Sequence, residues 1–147
     1  MINAYCLDTR DRPGLLFAMM RKFASDQSRV AFEGNLATTE LYRLEGSAHE
    51  ETPILKRATT APRLDFVVLP LTPSRVSDIE KAIRSKIAFD GYKGIIHVQI
   101  EANGELAFGA YDNFHPETVM IYGPIEKAAL DELVTNRTLK SYAQRRL

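Results

Sequence analysis

The chain has 147 residues, of which 45% are hydrophobic and 26% charged, and this length and composition are typical of one globular domain. Its 19 basic and 19 acidic residues cancel to a net charge of zero, which disfavours nucleic acids and anionic membranes as partners. The single cysteine excludes an internal disulfide, no signal peptide or membrane span is recognisable, and we therefore expect a cytoplasmic protein.

The first elements follow from turn residues and apolar spacing. Residues Ile2–Leu7 are predicted to form a strand, Asp8–Gly14 a turn, and Leu15–Ser25 a helix. Apolar residues recur in that helix at three- and four-residue intervals, at Leu16, Met19, Met20 and Phe23. Ser28–Leu36 then alternates between apolar and polar residues, which predicts a half-buried strand.

The middle of the chain contains a long polar segment. Glu45–Arg63 is rich in glycine, proline, serine, threonine and charge, which predicts a loop that we call the excursion. The apolar run Leu64–Leu71 predicts a strand that ends near Pro70. Thr72 begins a second predicted helix, whose inward positions are Val76, Ile79, Ile83 and Ile87.

A hairpin is the clearest local signal. A predicted turn at Gly91–Gly94 leads into the strands Ile95–Ala102 and Glu105–Tyr111, joined by Asn103-Gly104, which suits a type I′ turn. One face of the hairpin is predicted to carry Ile96, Val98, Ile100, Leu106, Phe108 and Ala110. The other face carries His97, Gln99 and Glu101, as solvated residues or as contact residues at an interface.

The end of the chain is predicted to form a strand over Thr118–Tyr122, a helix over Ile125–Thr135 and a short strand or helical turn over Thr138–Tyr142. The basic tail Lys140–Leu147 is interpreted as a solvated terminus.

This order predicts an α+β fold: a ferredoxin-like βαββαβ two-layer sandwich with an additional C-terminal strand and helix. We expect a single domain over residues 1–147, with a core at 1–111 that includes the excursion at 45–63, and a β-α extension at 112–147.

The loop before the first helix has a family resemblance. It carries an acidic residue followed by Pro-Gly and hydrophobic residues, in the segment Asp11, Arg12, Pro13, Gly14, Leu15 and Leu16. This segment resembles the signature loop of ACT domains, and the resemblance to that family extends over residues 2–44. The resemblance implies a regulatory module that binds an amino-acid-like or similar effector near this loop, often at a dimer interface.

The chemistry of the loop fits that implication. A glycine allows a close approach, and the N–H groups at a helix N-terminus attract anions. The alternative is a plain strand–turn–helix connection in which Asp11 caps the helix.

Signals for catalysis are weak. Cys6 lies in an apolar strand and is interpreted as a buried structural thiol. Asp112, His115 and Glu117 can surround one point as a metal or acid–base site, but Asp-Asn before His-Pro is also good turn chemistry. We favour the turn, and we expect no catalytic residues, no metal site, no cofactor and no enzyme activity.

Two functions are therefore predicted. The first is a non-catalytic ACT-like regulatory module for a small amino-acid-like or anionic effector, with a homodimer interface. The second is a small inhibitor of the immunity or antitoxin type that neutralises a partner enzyme. Acidic and aromatic residues would contact that partner, namely Glu45, Glu50, Glu51, Tyr111, Asp112, His115 and Glu117.

Overall fold

The structure, a computed structural model, describes residues 3–83, 89 and 94–146. The strands are β1 (Asn3–Thr9), β2 (Arg29–Gly34), β3 (Asp65–Pro70), β4 (Ile95–Ala102), β5 (Glu105–Ala110), β6 (Met120–Ile121) and β7 (Leu139–Arg146). The helices are α1 (Arg12–Phe23), α2 (Val76–Ala82) and α3 (Lys127–Thr135). In this part of the chain, no helix has the length and apolar character needed to cross a membrane. The predicted inward position of Ile87 and residues 91–93 of the predicted turn lie outside the described residues.

Helix α1 begins three residues earlier than predicted, at Arg12 rather than Leu15. Asp11 is its N-cap, and the Asp11 carboxylate accepts a hydrogen bond from the backbone N–H of Gly14 at 3.0 Å. Pro13 is tolerated in the first turn because helical N–H groups there have no intrahelical acceptor. The Pro-Gly pair therefore belongs to the helix and not to the loop before it.

All described strands form one seven-stranded antiparallel sheet in the order β3-β2-β4-β5-β6-β1-β7. The α+β character agrees with the sequence, but the predicted ferredoxin-like βαββαβ sandwich is wrong. Strand β1 pairs with β6 and β7, and β5 and β6 separate it from β2, β3 and β4. Two strands from the predicted extension at 112–147 are thus built into the sheet. The error arose because alternation identifies the buried face of a strand but does not identify its neighbours.

One side of the sheet, which we call the helix face, carries the main core. It presents fully buried side chains from several strands, among them Leu7, Phe32, Val98 and Phe108. The helices cover this face with apolar side chains that are also fully buried, including Leu15, Leu16, Met20, Ile79 and Leu130. Burial of side chains of this size stabilises a fold by roughly 1.5–3 kcal/mol each.

The hairpin between β4 and β5 is confirmed, and its turn residues Asn103 and Gly104 have φ angles of 55° and 76°. A bulge interrupts the register between Ile100 and Glu101, so that Leu106 lies opposite Glu101. Leu106 therefore packs on the opposite side of the sheet from Phe108. The prediction that these two residues share a face is wrong, because the bulge inserts one extra residue into β5.

The other side of the sheet is covered by the excursion, and we call it the excursion face. Leu55 is fully buried there against Ala31, Phe66 and Val68. The predicted loop is confirmed, since the only strand pairing described within it is an isolated bridge between Ala48 and Val68. A second apolar cluster thus attaches this irregular segment to the sheet.

Residues 140–146 of the basic tail belong to strand β7, and most of their side chains are exposed to solvent, as predicted. Strand β7 pairs with β1 from Asn3 opposite Arg146 to Thr9 opposite Leu139. The prediction of a short strand or turn at Thr138–Tyr142 underestimated its length, because most of its side chains are polar and exposed and show no apolar alternation.

We predict that Gly34→Ala destabilises the protein by about 2–3 kcal/mol. Gly34 has a φ of 154°, and a Cβ there would lie 2.8 Å from the backbone nitrogen of Ile96 and closer still to the Gly94 carbonyl oxygen. The free energy of unfolding measured in urea tests this. Gly104→Ala is the control, because no atom lies within 4 Å of its added methyl group and only its φ of 76° is unfavourable, at about 1 kcal/mol. Equal losses in the two variants would contradict the close approach at Gly34.

Candidate functional site

Three polar side chains lie buried side by side on the excursion face, and we call them the polar row: Glu33, His97 and Gln99. They are 1%, 3% and 4% exposed. Glu33 on β2 lies directly opposite His97 on β4, and Gln99 follows two residues later on the same face. Buried polar groups require hydrogen-bond partners. Each of these three side chains forms a hydrogen bond with the segment 56–59 of the excursion.

The Glu33 carboxylate binds two successive backbone N–H groups. One oxygen accepts from Ala58 at 2.7 Å, and the other accepts from Thr59 at 3.2 Å. Among the described residues, no cation forms a salt bridge with Glu33. Its charge is therefore compensated by backbone dipoles, in hydrogen bonds that are stronger than neutral ones.

His97 uses both ring nitrogens. Its Nδ1 accepts a hydrogen bond from the Asp112 backbone N–H at 3.2 Å, which requires Nδ1 to be unprotonated. The proton of the neutral ring is then on Nε2, which lies 2.8 Å from the Thr59 hydroxyl oxygen. Burial lowers the pKa of His97, and this effect exceeds the opposing charges of Glu33 and Asp112.

Gln99 completes the row by pairing with the backbone of Lys56 in both directions. Its side-chain oxygen accepts from the Lys56 N–H at 3.3 Å, and its amide nitrogen donates to the Lys56 carbonyl at 2.5 Å. The Gln99 side chain thus both accepts from and donates to the backbone of Lys56, as the backbone of a neighbouring strand would. Three neighbouring side chains of the sheet therefore hold the segment 56–59 at a defined position.

Arg57, which follows Lys56 in the excursion, forms hydrogen bonds through both its backbone and its side chain. Its backbone N–H donates to Glu51, and its guanidinium donates to the Leu64 carbonyl at 2.6 Å. The guanidinium carbon lies 4.9 Å from the centre of the Phe66 ring, in a cation–π contact. These contacts hold the guanidinium of Arg57 against Leu64 and Phe66.

Arg57 lines a concavity of about 300 Å³, which we call the arginine concavity. Its other lining residues are Tyr42, His49, Arg63, Leu64, Asp65 and Phe66. The rings of Tyr42 and His49 stack with their centres 4.8 Å apart and form an aromatic wall. Burial, followed by the charge of Asp65, raises the pKa of Tyr42, so that its hydroxyl stays protonated and can donate.

The cations of the arginine concavity are unpaired in the described chain. Neither Arg57 nor Arg63 forms a salt bridge with a described carboxylate. The acidic lining residue, Asp65, already accepts a hydrogen bond from the Leu36 backbone N–H at 3.0 Å. The arrangement can bind an anion through guanidinium groups, which match carboxylate and phosphate geometry.

A second concavity of about 370 Å³ adjoins the first at Leu64. It is lined by Asn35, Thr59, Pro62, Leu64, Ile96 and Asp112. Thr59 and Asp112 both contact His97, so this hollow borders the polar row.

The residues of the predicted effector loop, Asp11–Leu16, lie at the N-cap and the first turns of α1. The Asp11 carboxylate already accepts from the first turn of α1, and a Cβ at Gly14 would collide with that carboxylate. Leu15 and Leu16 are fully buried in the core, whereas Asp11 is exposed and Arg12, Pro13 and Gly14 are half-buried. The surface of this loop that a ligand can reach consists of the latter four residues.

The residues predicted to contact a protein partner fall into two groups. Glu45, Glu50 and Glu51 are all exposed on the excursion. The second group consists of Tyr111, Asp112, His115 and Glu117, and it lies in and around a tight turn.

That turn runs through three consecutive left-handed residues, Asp112, Asn113 and Phe114, with φ angles of 51°, 58° and 63°. His115 and Glu117 are exposed, and Nδ1 of His115 accepts from the Glu117 N–H at 3.3 Å. Tyr111 is half-buried, and its ring centre lies 5.7 Å from that of His97. Burial, followed by the charges of Tyr122 and Glu33, raises the pKa of Tyr111 to about 12.

Two further features concern possible metal ligands and the single cysteine. No group of three or more His, Cys, Asp or Glu residues in the described ranges is arranged to hold a metal ion. The Cys6 thiol is buried and donates to the Pro116 carbonyl at 3.3 Å.

Comparisons with known proteins return no relatives. No family model matches the chain, and searches of the curated proteins and of the solved structures find no significant match. The ACT resemblance of residues 11–16 thus stays a prediction.

Sequence reasoning did not single out Arg57 or Glu33 as site residues. Glu33 is one of the polar residues of the alternating segment Ser28–Leu36, and it is buried because the excursion covers it. One signal was present: the cations of the excursion are Lys56, Arg57 and Arg63, in a segment otherwise rich in small and acidic residues.

We predict that Glu33→Ala lowers the free energy of unfolding by about 1–3 kcal/mol, because it leaves the N–H groups of Ala58 and Thr59 without acceptors. Amide hydrogen exchange should accelerate in residues 56–59 more than in β4. Glu45→Ala, at an exposed position of the excursion, is the matched control and should leave both measurements unchanged. Unchanged exchange at 56–59 in Glu33→Ala would contradict the role given to this carboxylate.

We also predict that stability falls as the pH drops below about 6.5. The pKa of His97 is lowered in the folded state, so the unfolded chain takes up a proton first and is favoured by acid. The loss of stability begins near the ordinary histidine pKa and ends once the pH is below the pKa of His97 in the folded state. Urea unfolding at several pH values measures the slope, which His97→Gln should reduce. His115→Gln should retain it because His97 is still present, and an equal slope in His97→Gln would count against this origin.

Proposed function

We propose that this chain is a non-catalytic binding protein that recognises a small anionic or amino-acid-like effector, and that the arginine concavity receives it. The observation that carries the proposal is the fixed guanidinium of Arg57, held by the Leu64 carbonyl and the Phe66 ring. A group that is already in place loses little conformational freedom when a ligand binds.

The charge of the concavity supports an anionic ligand. Arg57 and Arg63 supply two positive charges, and Asp65 supplies one negative charge that is already hydrogen-bonded. A carboxylate or phosphate group would therefore find an excess of donors. An ammonium group on the same ligand would be attracted by Asp65, which suits a zwitterion such as an amino acid.

The size and lining of the concavity agree with this ligand class. About 300 Å³ lies at the lower end of the usual range for small-molecule sites. The stacked rings of Tyr42 and His49 provide a flat wall for an apolar or planar part of the ligand, and the Tyr42 hydroxyl provides a donor.

The loop at residues 11–16 is the competing location for the same effector. Its helix N-terminus already binds a carboxylate, that of Asp11, and an added anion would be repelled by it. This difference favours the arginine concavity over the loop.

The second candidate function is the inhibitor of a partner enzyme. The exposed carboxylates of Glu45, Glu50 and Glu51 favour it, because acidic surface groups speed the association with a basic partner. Replacing Glu45 and Glu50 with glutamine should slow such an association and leave effector binding unchanged, because neither contacts the arginine concavity, whereas Glu51 is kept because it accepts from the Arg57 N–H.

We predict that a panel of amino acids, dicarboxylates and phosphorylated metabolites contains compounds that raise the melting temperature, because a ligand that binds only the folded state stabilises it. Arg57→Met should abolish the shift, measured against the melting temperature of each variant without ligand. Arg57→Lys, which keeps the charge but loses the planar fork, should weaken binding by roughly tenfold.

Arg12→Met is the matched control for the competing location and should bind normally. The loop at 11–16 would be the site if Arg12→Met lost binding and Arg57→Met retained it. Stabilisation by no compound of the panel, together with a tight complex with a co-encoded protein, would favour the inhibitor.

A further inference from the structure

The two edges of the sheet differ in whether their backbone groups have hydrogen-bond partners. At one end, the outer side of β3 is occupied by Ala48, whose N–H and carbonyl bond to Val68 at 3.0 and 2.8 Å, and Pro70 lacks a donor. At the other end, β7 pairs with β1 on one side, and within the described residues no strand pairs with its other side. The open edge of β7 extends over 8 residues.

The direction of the open backbone groups can be derived from β1. The Leu7 N–H donates to the Val119 carbonyl at 2.9 Å, so Leu7 points its backbone groups away from β7. Its partner Tyr142 then points its own groups away from β1, because opposite residues of an antiparallel pair either bond to each other or both face outward. By alternation, the backbone of Gln144 also faces outward.

The edge is held in place by its aromatic residue. The ring of Tyr142 meets that of Tyr5 edge to face, with 5.9 Å between centres, and its hydroxyl donates to Asp131 on α3. A preformed edge reduces the entropy lost when another strand pairs with it.

The charge of β7 selects among partners. Lys140, Arg145 and Arg146 are all exposed, and the strand contains no acidic residue. A second copy paired antiparallel through β7 would bring these cations close to those of its partner, which is unfavourable. An acidic strand would place opposite charges there instead.

We propose that the outer edge of β7 binds an extended, acidic segment of a partner protein, which adds to the sheet as an eighth strand. The backbone of Tyr142 and Gln144 supplies the ladder hydrogen bonds, and the three cations select the acidic side chains. This interaction surface is independent of the arginine concavity and does not rest on the effector proposal.

The test uses a fluorescent peptide that has the length of β7 and alternates glutamate with valine, with binding followed by anisotropy. We expect binding that weakens with salt, and no binding of the corresponding lysine–valine peptide. Gln144→Pro removes an outward N–H without affecting the ladder to β1, and should weaken binding by roughly tenfold. Gln144→Thr keeps the N–H and should bind normally.

A second measurement covers the case in which Gln144→Pro folds poorly. In the unaltered protein, saturating peptide should slow amide exchange at Tyr142 and Gln144 and leave Ser141 and Ala143 unchanged, because those two already face β1. The double variant Arg145→Glu, Arg146→Glu should bind the lysine–valine peptide in preference.

Three results would overturn the proposal: no binding of the acidic peptide, equal affinity for a single-stranded oligonucleotide, or a dimer in sedimentation that buries β7. The first would leave effector binding at Arg57 unaffected, so the two proposals fail separately.

Discussion

The buried carboxylate of Glu33 determines how the excursion is held against the sheet. It lies buried beside His97 in the polar row, and it binds the backbone N–H groups of Ala58 and Thr59, which compensates for the free-energy cost of burying a carboxylate. His97 and Gln99 extend the same contact along β4. Because the segment 56–59 cannot leave without exposing unsatisfied groups on both sides, the excursion behaves as part of the fold.

This attachment links the sheet to the candidate site. Arg57 lies within the held segment, between Lys56 and Ala58, whose backbones are bonded to the polar row. The position of its guanidinium thus depends on side chains of β2 and β4 that never reach the concavity. His97 adds sensitivity to pH, because its Nδ1 accepts a hydrogen bond only when it is unprotonated.

The sheet places the two proposed binding surfaces at opposite ends. The excursion covers the β3 end, where it contributes the arginine concavity and closes the edge through Ala48. The β7 end is open and basic. A small anion at one end and an acidic strand at the other are compatible with each other, because β2, β4, β5, β6 and β1 lie between β3 and β7.

The sequence alone determined the elements that depend on neighbours in the chain. The Asn103-Gly104 turn, the apolar stripe of α1 and the loop character of residues 45–63 were all predictable, because turn chemistry and periodicity are local. Tertiary structure decided the order of the strands and which polar residues are buried. β1 pairs with strands more than a hundred residues later, and Glu33 is buried because the excursion covers it. A periodic pattern records which face of a strand is apolar, whereas the identity of its neighbour depends on the packing of the whole chain.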